Sequence, residues 1–215
     1  MANELHNYRK LYRKHELHKS GSPDDPFQLF SMWFKEVDAS KEVEEVNTMT
    51  LSTIGVDGFP KSRIVLLKEY DGEGFVFYTN YFSEKGRAIS NNPKVCLSFF
   101  WPGSERQVII KGVAGKTSEE NSIAYFKARP RASQLGAWAS DQSKEVPSRE
   151  YLENRLQTLE AQFKDKPVPK PPNWGGFKVF PEEFEFWQGR PGRLHDRIRY
   201  SKNEGLTWKK SRLAP

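Results

Sequence analysis

The chain has 215 residues, 36% of them hydrophobic and 13% aromatic, enough for one domain with a substantial aromatic core. A formal net charge of +6 favours anionic partners. The basic residues are spread over many segments, however, and neither a paired-cysteine zinc pattern nor an RNA-binding motif occurs, so discrete anion sites are expected rather than a nucleic-acid surface. No apolar run reaches the length of a membrane span, and Met1 to His6 lacks an apolar leader core. The single cysteine, Cys96, excludes an internal disulfide and sits in an apolar run as a core thiol, so the expected setting is the reducing cytoplasm.

Residues 1–20 read as an N-terminal arm or lid and 21–215 as a single domain. In the arm, Leu5, Tyr8, Leu11, Tyr12 and His15 recur at roughly helical spacing, which predicts a short amphipathic helix or a mobile segment. His15 and His18 lie one turn apart but have no carboxylate or cysteine in register to complete a metal site. Asp25-Pro26 is a helix start, and Phe27, Phe30, Phe34 and Val37 form the core face of a helix reaching about Ala39.

From Asn47 the period becomes that of strands: 48–54, a turn at Val56 to Phe59, 61–68, a turn at Asp71 to Gly74, and 75–79. A short helix over 84–90 precedes strands 94–101 and 106–116. Thr117-Ser118-Glu119-Glu120 is a capping box for a helix to about Ala128; Pro130 breaks it, and helical pattern resumes from Ala132 to Trp138. Ser148 caps a further helix with Leu152, Leu156, Leu159 and Phe163 as its stripe. Strands then return at 177–180, 183–187, 193–200 and 206–212, the last after an Asn203-Glu204-Gly205 turn. Seven or eight strands joined by short turns predict a mainly antiparallel sheet with flanking helices, closing toward a barrel.

The stretch Glu185 to Tyr200 reads as a hairpin. Strand alternation puts Leu194, Ile198 and Tyr200 on one side and Arg193, His195, Arg197 and Arg199 on the other. So much like charge on one face is unfavourable unless an anion lies opposite, or unless the strand is a solvated edge guarded against aggregation. Nucleotide-loop, nucleophile-elbow and zinc-protease motifs are all absent. What recurs is cation with hydroxyl or amide: Arg63 with Lys68, Tyr78-Thr79 with Lys85, Arg106-Gln107, Gln142-Ser143, and Tyr125, Arg129 and Ser133 at spacings of four, which would align them on one helical face.

Those residues, in the blocks RIVLLK (63–68), FYTN (77–80), ERQV (105–108), YFKARPR (125–131), QLGAW (134–138), FEFWQG (184–189), RLHDR (193–197) and RLAP (212–215), resemble the pyridoxine/pyridoxamine 5′-phosphate oxidase family in order from about residue 20 to the end. The resemblance implies an FMN-binding split β-barrel, working as a homodimer with flavin at the subunit interface. The implied reaction converts pyridoxine 5′-phosphate or pyridoxamine 5′-phosphate to pyridoxal 5′-phosphate with O2 as acceptor. The implied FMN contacts are Arg63, Ile64, Val65, Leu66, Leu67, Lys68, Tyr78, Thr79, Lys85, Gln107, Gln142, Ser143, Trp187 and Arg197. Substrate contacts are Lys68, Tyr125, Arg129 and Ser133 at the phosphate and Arg193, Leu194 and His195 at the ring, with Arg9 and Tyr12 in a covering segment. Arg193, His195 and Arg197 form the implied catalytic set. The family pattern has two adjacent basic residues where this chain reads Glu84-Lys85, so only Lys85 is carried over, and Glu84 is expected to turn to solvent or pair with a cation. A flavin reductase on the same barrel would not need the Tyr125/Arg129/Ser133 set, and a non-catalytic carrier of pyridoxal phosphate would need no flavin.

Overall fold

Five α-helices and nine strands are present in the computed structural model, which describes residues 5–203 and 207–215. In order they are α1 (Pro26–Ser40), β1 (Thr48–Ile54), β2 (Pro60–Leu66), β3 (Glu69–Tyr70), β4 (Phe75–Asn80), α2 (Glu84–Asn91), β5 (Lys94–Trp101) and β6 (Arg106–Lys116). Then come α3 (Glu119–Ala128), α4 (Arg131–Ala139), α5 (Arg149–Gln162), β7 (Trp174–Gln188), a 3-10 turn at Pro191–Arg193, β8 (Asp196–Lys202) and β9 (Trp208–Leu213). The strands make one sheet in the order β2-β1-β5-β6-β7-β4-β3, with β8 added to β7 and β9 to β8. β7 runs unbroken through Pro181, where two strands were expected. Its residues 174–179 pair antiparallel with β4 and its residues 183–188 with β8, and Pro181 falls between these two registers.

By contacts the chain divides into two compact units, each of non-contiguous segments. The first holds the residues up to Met49, Leu97–Lys111 and Pro181–Pro215. In it Asp25 accepts the Phe27 N–H at 3.0 Å and starts α1, as read from the sequence. The buried face of α1 includes Leu29 and Trp33 besides Phe30 and Val37, while Phe27 and Phe34 are only half-buried. Phe30 meets Phe99 edge-on at 5.1 Å, Trp33 meets Phe186 at 5.3 Å, and Phe186 meets Tyr200 at 5.7 Å. Such pairs add about 0.5–1.5 kcal/mol each beyond burial, so this chain of rings locks the second half of β7 and β8 onto α1.

The same unit departs from expectation at both chain ends. No helix forms between residues 5 and 19, because backbone donors there go to side chains: Arg13 and Lys14 N–H to Glu105, and Leu17 N–H to Asp196. β8 begins at Asp196 rather than 193, since Gly192 and Arg193 adopt left-handed φ of 63° and 62°. Arg193, Leu194 and His195 are therefore off the strand, Leu194 is exposed, and the expected four-residue basic face shrinks to Arg197 and Arg199. Ile198 and Tyr200 are fully buried, as the alternation required. Residues 204–206, most of the predicted turn, lie outside the described residues, as do Met1 to Glu4.

The second unit holds Thr50–Cys96 and Gly112–Phe180. Its β1–β2 turn closes with Gly55 N–H to Phe59 O at 2.8 Å, and Gly58 supplies a φ of +80°. Ser83 caps α2 through Gly86 N–H at 3.2 Å, and a Cβ on Gly86 would strike the Tyr81 backbone carbonyl. The α3 cap is Ser118, one residue later than the capping box predicted, because the Thr117 N–H is taken by Gly176 O at 2.9 Å. No residue of α5 is fully buried; Leu156, Leu159 and Phe163 lean on a cluster of Phe126, Leu135, Val168 and Trp174. Cys96 is half-buried on β5 rather than in the core. Among the described residues no cluster could hold a metal ion, and no helix is long and apolar enough to cross a membrane.

Candidate functional site

The second unit contains a cavity of about 810 Å³. β2 and the residues after it supply Arg63, Ile64, Val65, Leu66 and Lys68; β4 supplies Tyr78 and Thr79; α2 supplies Lys85. Tyr125 comes from α3, Arg129 from its C-cap, Ser133 from α4, and Gln142 from the segment beyond it. Tyr125, Arg129 and Ser133 thus do not share one helical face as their spacing implied. Arg129 is extended, at φ −70° and ψ 148°, and the break at Pro130 turns α4 so that all three still line the cavity.

Arg63 donates from Nη1 to Leu51 O at 3.2 Å and Thr53 Oγ1 at 2.7 Å, which fixes its side chain across β1. Thr79 donates to Gln142 Oε1 at 3.0 Å, and Lys85 Nζ lies 3.4 Å from Thr79 Oγ1. Among the described residues, four cations line the cavity (Arg63, Lys68, Lys85, Arg129) and no carboxylate does. Burial holds Arg63 and Arg129 below the usual arginine range, and burial followed by the Arg63 charge lowers Lys85. Arg129 Nη1 is buried with no hydrogen-bond partner among the described residues. Tyr78 is pushed up by burial and then by Glu69, which accepts its hydroxyl at 3.0 Å, so that phenol stays neutral. Glu84, outside the cavity lining, accepts twice from Lys61 Nζ at 2.7 Å, the pairing with a cation expected for it.

A separate cluster lies in the first unit. Tyr12 is edge-on to Trp187 at 5.6 Å and to His195 at 5.4 Å, and the Trp187 and His195 rings are 4.7 Å apart. The Arg190 N–H donates to His195 Nδ1 at 3.0 Å, so a neutral ring carries its proton on Nε2. Burial, then the Arg193 charge, lowers the His195 pKa from 6.5. Arg197 donates to Glu185 at 2.8 Å and to Ala214 O at 2.7 Å. Arg106 is buried and structural, bound to Gln188 at 3.0 Å and Glu36 at 2.6 Å over the Trp33 face. Arg199 Nε is buried with no hydrogen-bond partner among the described residues, and nothing in the structure explains it.

Of the residues singled out from the sequence, the cavity gathers Arg63 to Leu66, Lys68, Tyr78, Thr79, Lys85, Tyr125, Arg129, Ser133 and Gln142. Leu67 is buried and is not among its lining residues; neither are Gln107, Ser143, Arg9, Tyr12, Trp187, Arg193, Leu194, His195 and Arg197. The lining also includes Asn80, Gly136 and Trp174, which sequence reasoning missed. For Trp174 a signal existed: the following Gly175-Gly176 pair marks a close approach, and a Cβ there would collide with Tyr81 or Thr117.

A family model described as pyridoxamine 5′-phosphate oxidase matches residues 34–163, and one described as the pyridoxine 5′-phosphate oxidase C-terminal dimerisation region matches residues 174–215. A protein named pyridoxine/pyridoxamine 5′-phosphate oxidase from Flavobacterium johnsoniae is 59% identical over 212 residues, covering 99% of each chain. One of the same name from Rubrobacter xylanophilus is 51% identical, over 99% of this chain and 97% of its own. Among solved structures, PhzG from Burkholderia lata 383 in complex with tetrahydrophenazine-1-carboxylic acid matches with a TM-score of 0.85 at 29% identity, over 92% of this chain and 96% of that one. A pyridoxamine 5′-phosphate oxidase-related, FMN-binding protein from Nostoc punctiforme shares the fold, with a TM-score of 0.69 at 16% identity over 88% and 98% of the two chains. The antiparallel sheet with its flanking helices is the split barrel of these proteins.

Proposed function

The chain belongs to the pyridoxamine 5′-phosphate oxidase family, and on that premise we propose that it oxidises pyridoxine 5′-phosphate and pyridoxamine 5′-phosphate to pyridoxal 5′-phosphate, with FMN as resident cofactor and O2 as electron acceptor. The observation that carries this reading is a cavity that, among the described residues, has four cations, no carboxylate and an unpartnered guanidinium nitrogen. A buried donor without an acceptor costs about 1–3 kcal/mol, which an anionic oxygen offsets.

The donor set fits FMN: fixed cations for a phosphate, and hydroxyl and amide groups for a polyol and a ring edge. Arg63, Lys85, Thr79 and Gln142 would hold it, together with the β2 segment to Lys68 and Tyr78. Gln107 and Ser143 are assigned to it by resemblance. Bound FMN supplies a two-electron acceptor that O2 re-oxidises to give H2O2. The alcohol substrate loses two electrons and two protons at C4′ and its hydroxyl. The amine substrate loses the same from carbon and nitrogen, then takes up one water and releases ammonia.

Lys68, Tyr125, Arg129 and Ser133 clamp the substrate phosphate, and that remote binding energy orients the reacting carbon. His195, with Nδ1 already accepting, presents Nε2–H as a donor to the substrate ring, and Arg193 supplies positive charge beside it. Arg197, neutralised in part by Glu185, would lie by the flavin ring and favour negative charge there. The match of residues 174–215 to a dimerisation region supports a homodimer. We place the FMN sites at its interface, where Trp187, Arg193, Leu194, His195 and Arg197 complete them and Arg9 and Tyr12 cover the substrate. The cytoplasm is the proposed setting.

The test is direct. Purified protein should be yellow, release FMN on denaturation, and form pyridoxal 5′-phosphate from either vitamer with stoichiometric H2O2. Colourless protein that cannot be reconstituted with FMN, or yellow protein inert toward both vitamers, overturns the proposal.

A further inference from the structure

We infer that Trp174 is a positioning residue for the substrate phosphate: its indole face holds the Arg129 guanidinium in the place a carboxylate would otherwise take, leaving the N–H donors free for an anion. The inference rests on the oxidase reading above, which puts the substrate phosphate at Arg129.

The backbone of Arg129 is fixed independently of its side chain. Pro130 follows it and restricts it to extended geometry, and the Gln134 amide donates to the carbonyls of Phe126, Lys127 and Arg129, each at 3.1 Å. The side chain has no comparable polar anchor. Arg129 takes part in no ion pair among the described residues, and its Nη1 is buried without a partner. Its guanidinium carbon lies 4.8 Å from the centroid of the Trp174 ring and 5.7 Å from that of Phe126. Aromatic faces therefore set its position.

Trp174 is itself held rigidly. Its backbone N–H donates to Pro171 O at 3.1 Å, and its backbone carbonyl accepts from Lys170 Nζ at 2.8 Å. Its ring is within 10° of parallel to Tyr78 at 5.5 Å and within 6° of parallel to Tyr125 at 6.1 Å, while the two tyrosines stack at 4.0 Å. A carboxylate would also orient an arginine, but it would occupy the fork of donors and cancel the charge. An aromatic face engages the guanidinium plane and leaves its edge free.

The experiment uses the FMN-loaded enzyme as wild type, Arg129→Ala, Trp174→Leu, Trp174→Phe and the Arg129→Ala/Trp174→Leu pair. Dissociation constants for pyridoxal 5′-phosphate and for pyridoxal, which lacks the phosphate, are measured by titration calorimetry; flavin content and thermal melting report folding. Trp174→Leu should weaken pyridoxal 5′-phosphate binding by about tenfold, the scale of a partly buried cation–π contact, and leave pyridoxal binding unchanged. In the Arg129→Ala background the same change should add no more than about twofold, because contacting residues that act as a unit are not additive. Trp174→Phe, which keeps a smaller face, should lose about threefold and carries the test if the leucine variant does not fold. Equal losses for both ligands, or full additivity in the double variant, would show Trp174 to be core only and overturn the inference. If Arg129→Ala itself leaves the preference for the phosphorylated ligand intact, the assignment of the substrate phosphate to this cavity fails instead.

Discussion

Glu105→Ala should release the N-terminal segment while leaving the barrel folded. Glu105 is 3% exposed and sits at a left-handed φ of 56°, which aims its carboxylate at the arm. Oε2 accepts the N–H groups of Arg13 and Lys14 at 2.8 and 3.0 Å, and Oε1 lies 3.7 Å from Lys10 Nζ. Hydrogen bonds to a charged group contribute about 1.5–3 kcal/mol each. Arg13 and Lys14 are exposed, so their freed N–H groups rehydrate, and a discounted total of about 2 kcal/mol is appropriate. Opening of the arm should then rise by about thirtyfold, at tenfold per 1.4 kcal/mol. Trypsin reads this out where it matters, since Arg13 and Lys14 are both cleavage sites, and cutting tracks the open population when reclosure is fast. The backbone carbonyl of Glu105, which accepts from Gly189 N–H at 2.8 Å and Gln188 Nε2 at 3.1 Å, survives the substitution, so the melting temperature should move little. Glu105→Gln keeps an acceptor and should fall between. Cleavage of Glu105→Ala at Arg13 and Lys14 within about twofold of the wild-type rate would refute the latch.

Two further outcomes concern the cluster under the arm. Gly189→Ala puts a Cβ 2.6–2.9 Å from three carbons of Tyr12, so Tyr12 must leave its place against Trp187 and His195; the His195 ring protons should shift in NMR spectra, and unchanged shifts would contradict the packing. His195 should titrate below 6.5, because burial and then Arg193 disfavour its cation, and Arg193→Ala should raise the midpoint. The sign follows from the depressed folded value: the stability it contributes is present above about pH 6.5 and is lost as pH falls through the folded pKa. A midpoint at or above 6.5 by NMR titration would rule this out.

Local signals carried well where one residue decides the geometry. Asp25 and Ser148 cap their helices as read, and strands 94–101 and 106–116 have the bounds that their alternation gave. The reading failed where a distant side chain competes with a local pattern. The helical spacing of Leu5 to His15 is real, yet its backbone donors find better acceptors in Glu105 and Asp196, about ninety or more residues away in sequence. Gly192 could be recognised as a turn residue, but the left-handed φ of Arg193 beside it could not, and that residue takes the 193–195 segment off the strand.

The make-up of the candidate cavity was legible by residue type and not by pairing. Arg63, Arg106 and Arg129 read in sequence as members of cation clusters, and Arg197 as part of a basic strand face, each suited to an anion. In the structure they divide according to whether a carboxylate reaches them. Glu36 takes Arg106 and Glu185 takes Arg197, by way of contacts seventy residues apart in one case and a cross-strand neighbour in the other. Among the described residues no carboxylate lines the cavity that holds Arg63, Lys85 and Arg129, and the nearby Glu84 is itself taken by Lys61. That absence leaves the charges of Arg63, Lys85 and Arg129 uncancelled within the cavity. It depends on where acidic residues do not go, which no short motif records. Glu84 shows the consequence: in sequence it looks like a defect in a phosphate-binding pair, whereas its ion pair with Lys61 ties its charge down outside the cavity lining and leaves Lys85 facing Thr79.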